Sequence, residues 1–159
     1  DAAIKAARIK NKKEVVILLD PKGKIYKQET AEKLTRYNHL ILICGHYEGF
    51  DERVRKLVDL ELSIGDYVLS GGEIAAMAIV ESVARLTDGV LTKKDAHEIE
   101  SFSKSKQGRI LEAPVYTRPA VYNGKKVPKM LVSGDPKLVE EYRSHEAAKL
   151  TSKRRPDLI

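Results

Sequence analysis

Two runs of this 159-residue chain, Glu14-Val15-Val16-Ile17-Leu18-Leu19 and Leu40-Ile41-Leu42-Ile43, lack the polar alternation of a half-exposed strand. A strand that is apolar on both sides must be covered on both sides. Such strands, when helices separate them, form a mainly parallel sheet with helices on both faces. The segments between the runs read as helical. Thr30 ahead of Ala31-Glu32-Lys33-Leu34 resembles a capped helix start. Asp51-Glu52-Arg53-Val54 opens a short polar helix, with Asp51 suited either to cap it or to bind a ligand. Ala75 to Leu86 sets Ala76, Ile79, Val80, Val83 and Leu86 on one side of a helix, and Leu60 to Ile64 is a third extended segment. Asp1 to Lys10 reads as the end of a helix with Ile4, Ala6 and Ala7 on its apolar side. The fold class is α/β.

Each apolar run opens into a loop of glycines and polar residues: Asp20-Pro21-Lys22-Gly23, then Gly45-His46-Tyr47-Glu48-Gly49, then Gly65 to Gly72. In open α/β sheets ligands gather at the carboxyl ends of the strands. Glycine lets main chain turn tightly and approach a ligand closely, so these loops suit a cofactor held by backbone atoms. They are not phosphate cradles, because neither G-x-G-x-x-G nor G-x-x-x-x-G-K-[ST] occurs. A nucleotide hydrolase is therefore disfavoured.

The sequence is 42% hydrophobic and 33% charged, which reads as a soluble globular protein, and no apolar run is long enough to span a bilayer. The single Cys44 excludes an intrachain disulfide and a multi-cysteine zinc site, and fits a reducing cytoplasm. A net charge of +6 favours an anionic partner, nucleic acid first. The character changes after Gly89. Residues 1–89 form the first domain, and 90–112 read as a polar, lysine-bearing linker or lid. Residues 113–159 form a small, mostly helical unit, with a helix from Pro136 or Lys137 to Lys149. His97 and His145 read as surface residues, and no spacing of His, Cys and acids marks a metal site.

Several blocks carry a family signature: Pro21-x-Gly23 with Gln28, Gly45 to Arg53, Ile64 to Glu73, Tyr116-Thr117-Arg118-Pro119, Ser133-Gly134 and Arg155-Pro156-Asp157-Leu158. On them the chain resembles the bacterial tRNA (guanine-N1)-methyltransferases, knotted SPOUT-class enzymes that use S-adenosylmethionine. The resemblance implies methyl transfer to N1 of the guanosine 3′ to the tRNA anticodon, in the cytoplasm. It also implies a homodimer with the active site at the subunit interface, and a C-terminal trefoil knot in the α/β domain that holds the cofactor. Pattern alone would never propose a knot.

The cofactor shell implied by the resemblance is Leu18, Leu19, Pro21, Gly23, Gly45, Tyr47, Glu48, Gly49, Ile64, Gly65, Tyr67, Leu69, Gly71 and Gly72. Many of these glycines also suit simple turns, and Tyr67 and Leu69 also suit a core. Backbone groups would read the adenine, and Glu48 would accept from ribose hydroxyls. Glu100, ahead of Ser101-Phe102, stands where the family has its aspartate base. Arg85 matches the family's catalytic arginine, with Glu81 one turn earlier to orient it. Without the resemblance Glu100 is a linker acid and Arg85 a helix-terminal arginine that favours the dipole. The tRNA candidates are Lys93, Lys94, Lys104, Lys106, Arg109, Arg118, Lys149, Lys153, Arg154 and Arg155. A divalent cation such as Mg is a further cofactor the family brings, with no ligand set visible here.

The sequence departs from the family pattern at His46 (arginine in the family), Asp88 (proline), Asp135-Pro136 (Asn-His) and Tyr142 (tryptophan). The match also begins after the family's first strand and glycine-rich loop. The second reading is thus a truncated or diverged protein that binds S-adenosylmethionine or tRNA without independent catalysis.

Overall fold

The computed structural model describes residues 1–91, 99–105 and 108–159. The chain divides into two compact units, Asp1–Thr92 and Lys93–Ile159. The first contains α1 (Ala2–Ala7), β1 (Glu14–Ile25), α2 (Gln28–Leu34), β2 (His39–Ile43), a 3-10 turn (Glu52–Leu57), β3 (Leu60–Ser63) and α3 (Glu73–Ala84). Its sheet has the order β2-β1-β3, and both pairings are parallel. This is the mixed α/β architecture with a parallel sheet that the apolar runs require.

Val15, Val16, Ile17 and Leu18 are almost completely buried, as a central strand demands. Val15, Ile17 and Leu19 share one face of β1 and form a core with Ala31 and Leu34 of α2, Leu62 of β3, and Ala75, Ile79 and Val83 of α3. Full burial of a side chain such as Ile79 stabilises the fold by about 1.5–3 kcal/mol. The sequence reading put helices on both faces of the sheet, whereas α2 and α3 share this one. α1 buries none of its residues.

The strand expected to end at Leu19 continues to Ile25. It leaves the β3 ladder after Leu19 and rejoins it at Lys24, so that Leu19 and Lys24 are both in register with Leu62. Asp20 to Gly23 is therefore an excursion from a continuing strand. Gly23 is required where the excursion returns: a Cβ there would lie 2.6 Å from the backbone nitrogen of Leu62. Thr30 does not cap α2, because Tyr26 bonds its N–H to Ser63 O at 2.7 Å and the helix starts at Gln28. Asp51 does cap the next turn, accepting the Arg53 N–H at 2.9 Å. α3 starts at Glu73, with Gly72 accepting the Ala76 N–H at 2.9 Å.

Among its described residues the second unit holds two antiparallel hairpins, β4 (Ser103–Ser105) with β5 (Gly108–Ile110) and β6 (Val121–Tyr122) with β7 (Lys125–Lys126). A 3-10 turn (Lys129–Val132), α4 (Pro136–Arg154) and a last 3-10 turn (Pro156–Leu158) follow. The first hairpin lies within the segment 90–112 read from sequence as a linker, and the second adds strand to 113–159, read as mostly helical. α4 starts as its sequence dictates: the Asp135 carboxylate accepts the Lys137 and Leu138 N–H groups at 2.9 and 3.4 Å, with Pro136 in the first turn. It runs past the expected Lys149. Thr151 anchors it in the unit, donating to Ala147 O at 2.7 Å and accepting the Leu111 N–H at 2.9 Å.

Candidate active site

The excursion of β1 and the loops after β2 and β3 meet at the carboxyl ends of the three parallel strands. They enclose a cavity of about 390 Å³, a volume in the range of small-molecule sites. Every residue of the expected cofactor shell lines it except Leu18 and Gly23. Leu18 is fully buried in β1, and Gly23 serves the packing on β3. Asp20, Lys22, His46, Val68 and Ser70, which lie in the three loops read as suited to a cofactor but outside the expected shell, also line the cavity, as do Phe50, Leu62, Ser63 and Ala75.

The two glycine loops are joined directly. The Gly72 N–H donates to Gly45 O at 3.0 Å, and His46 and Gly71 form an antiparallel bridge. A Cβ on Gly72 would come within 2.8 Å of Cys44 Cα, so this approach needs glycine. Above the seam, His46 Nε2 lies 2.6 Å from Glu73 Oε1. The Glu73 carboxyl is held below the usual glutamate range by its own backbone N–H and then by His46. Cys44, behind the loop, has its thiol pushed up by burial and by Glu73. Tyr47 stands at the rim, 99% exposed, with φ 62°. A left-handed non-glycine residue costs about 1–3 kcal/mol, and such strain concentrates at ligand sites.

In the β1 excursion, Asp20 bonds the Lys22 N–H through Oδ1 at 2.8 Å and Arg55 Nη2 through Oδ2 at 3.1 Å. Arg55 also bonds Glu52 at 2.9 Å and Glu61. One guanidinium thus ties the β1 excursion to the 3-10 turn and to β3.

The remaining catalytic candidates lie away from these loops in sequence. Arg85 ends α3, its N–H bonded to Glu81 O at 3.2 Å. Glu100, in the second unit, accepts the Ser103 N–H on its carbonyl at 3.1 Å and so opens a tight turn.

The family model described as tRNA (Guanine-1)-methyltransferase TrmD matches residues 1–159. The chain belongs to that family. It is 47% identical over 157 residues to the tRNA (guanine-N(1)-)-methyltransferase of Clostridium botulinum (strain Loch Maree / Type A3), covering 99% of this chain and 63% of that protein. It is 52% identical over 145 residues to proteins of the same name from Anoxybacillus flavithermus and from Listeria monocytogenes. Those matches cover 91% of this chain and 58% of the relatives. The chain therefore spans about three fifths of the length of these curated relatives.

Within this member of the tRNA (guanine-1)-methyltransferase family, the basic candidates divide. Lys93, Lys94 and Lys106, with His97, lie outside the described residues. Lys104, Arg118, Lys149, Lys153 and Arg154 are exposed, Lys149 lying 3.8 Å from Glu146. Arg109 instead donates to Phe102 O at 2.6 Å. Arg155 bonds both carboxylate oxygens of Asp157, at 2.8 and 2.7 Å, and lies over the Phe102 ring. No signal in the sequence announced those two engagements. Among the described residues no group of three or more His, Cys, Asp or Glu side chains is arranged to hold a metal ion. No described helix is long and apolar enough to cross a membrane.

Proposed function

We propose that this chain carries the cofactor site and the catalytic residues of a cytoplasmic tRNA (guanine-N1)-methyltransferase. The observation that carries the reading is the cavity at the strand ends, walled by the residues that the family resemblance assigns to the cofactor. Its fit to S-adenosylmethionine rests on its volume and on loops whose glycines bring backbone close together. Glu48 on the wall is suited to the ribose hydroxyls. The bound sulfonium supplies an electrophilic methyl group.

The chain's own residues then align and deprotonate the acceptor. A bond forms between guanine N1 and the methyl carbon as the sulfur–methyl bond breaks, and the N1 proton passes to Glu100. Arg85 stabilises the negative charge that grows on O6. In this reading the three loops belong to a trefoil knot. The helix-bearing segment 113–159 binds tRNA through Arg118, Lys149, Lys153 and Arg154, with exposed Lys104 as a further contact. A divalent cation would assist deprotonation, without ligands assigned here.

The reading includes a homodimer that completes the active site. Its support is the face of α3 turned away from the core, where Ile74, Met77 and Val80 are all more than half exposed, with Val68 of the preceding loop more exposed still. Such clustered apolar exposure is a signature of association.

The test is methyl transfer from labelled S-adenosylmethionine to a tRNA with guanosine 3′ to its anticodon. Glu100→Gln is expected to slow transfer by about 10²-fold or more, with cofactor affinity unchanged. Transfer at the parental rate by Glu100→Gln removes Glu100 from the mechanism.

A further inference from the structure

The turn that opens at Glu100 has an unusual third residue. Ser103 closes it by bonding to Glu100 O at 3.1 Å, and Phe102 has φ 71°. That is the position of a turn that glycine normally fills, because a side chain there is strained.

Phe102 is held in place from several directions. Its N–H donates to Ile110 O at 2.6 Å, and its carbonyl accepts from Arg109 Nη1 at 2.6 Å. Its ring lies 5.7 Å from the guanidinium of Arg155, within cation–π range. Arg155 is itself fixed by the paired bonds to Asp157. One residue earlier, Ser101 Oγ accepts the Glu112 N–H at 3.1 Å. The turn is also supported from below. Gly108, which opens β5, lies so close to the last 3-10 turn that a Cβ would meet Leu158 O at 2.2 Å. Strained backbone that its surroundings over-determine is characteristic of functional positions.

We propose that Arg109 and Arg155 are positioning residues for Glu100. They hold Phe102 in its left-handed conformation and so fix the direction in which the Glu100 side chain leaves the turn. This rests on the reading of Glu100 as the proton acceptor. It moves two arginines from the tRNA phosphates, where sequence put them, to contacts with Phe102.

The experiment compares Arg109→Met, Arg155→Met, Glu100→Gln and the double variant Arg109→Met/Phe102→Gly in the 159-residue chain. Each arginine variant is expected to lower kcat by about 10-fold or more, since a small misplacement of a reacting group costs that much. KM for tRNA and the affinity for S-adenosylmethionine should stay within about twofold, because the loss is confined to the transition state. Glycine adopts positive φ without support, so Phe102→Gly should restore most of the rate in the Arg109→Met background. A contact to tRNA phosphate would behave differently: KM for tRNA would rise, and glycine would restore nothing. That result overturns the proposal. Full activity in Arg109→Met beside a slow Glu100→Gln also overturns it, leaving the base assignment intact. Full activity in Glu100→Gln removes the base assignment and the proposal with it.

Amide hydrogen exchange at Ser103 gives a readout independent of turnover. Protection should fall about 10-fold in Arg109→Met and return in the double variant, as expected of a locally opened turn. Unchanged Ser103 protection in Arg109→Met contradicts the proposal whatever the activity.

Discussion

Arg55 joins charge, packing and the cavity at one residue. Its side chain is 15% exposed and meets Asp20, 6% exposed, as well as Glu52 and Glu61. Replacing it by methionine leaves the Asp20 carboxylate buried with only the Lys22 N–H as a partner among those bonds. Removing one partner from a buried pair destabilises by about 3 kcal/mol at the lower end of the usual range, and that is the loss predicted for Arg55→Met in urea unfolding. Arg55→Met/Asp20→Asn should recover much of it, because no uncompensated charge remains. A loss below about 1 kcal/mol would show that the cluster behaves as a solvated surface pair. None of this was legible beforehand. Arg55 stands in a visibly charged segment, but its partner Asp20 is 35 positions away, and no periodicity links them.

Elements with local signals were legible, and those set by distant bonds were not. Asp135-Pro136 announces the start of α4, and Asp51 the 3-10 turn, because capping acts within a few residues. The start of α2 was misread, since Thr30 looks like a cap while the Tyr26–Ser63 bond decides where the helix begins. α1 buries nothing, and its end is tied to the sheet through Glu14. Glu14 accepts the Ile9 N–H at 3.1 Å and Arg8 Nη1 at 2.6 Å, with His39 of β2 at 3.4 Å. The Ile9 bond is the largest influence and lowers its pKa; burial comes next and opposes it, and the Arg8 and His39 contacts then lower it further, leaving the carboxyl depressed. A depressed carboxyl contributes stability that is present above its unfolded value, about 4.3 for glutamate, and is lost as pH falls through the folded value. Thermal melts should therefore show the parent losing its advantage over Glu14→Gln on acidification below that value. A constant difference between the two would contradict this coupling.

At the scale of the whole molecule, a parallel sheet brings three loops that are distant in sequence to one edge. The apolar runs made that sheet readable, and the glycines after them marked where its loops would gather. The excursion of β1 was not readable, because a strand that pauses for four residues and resumes carries no pattern different from one that ends. The hairpins of the second unit were hidden for another reason. Short, exposed strands such as Val121–Tyr122 have no buried face to impose alternation. The central claim, that the cavity at the strand ends receives S-adenosylmethionine, is tested most directly by calorimetric titration of the 159-residue chain with that cofactor, using ATP as the control. The account predicts saturable binding of S-adenosylmethionine and none of ATP at the same concentration. A folded sample that binds neither, or that prefers ATP, contradicts it.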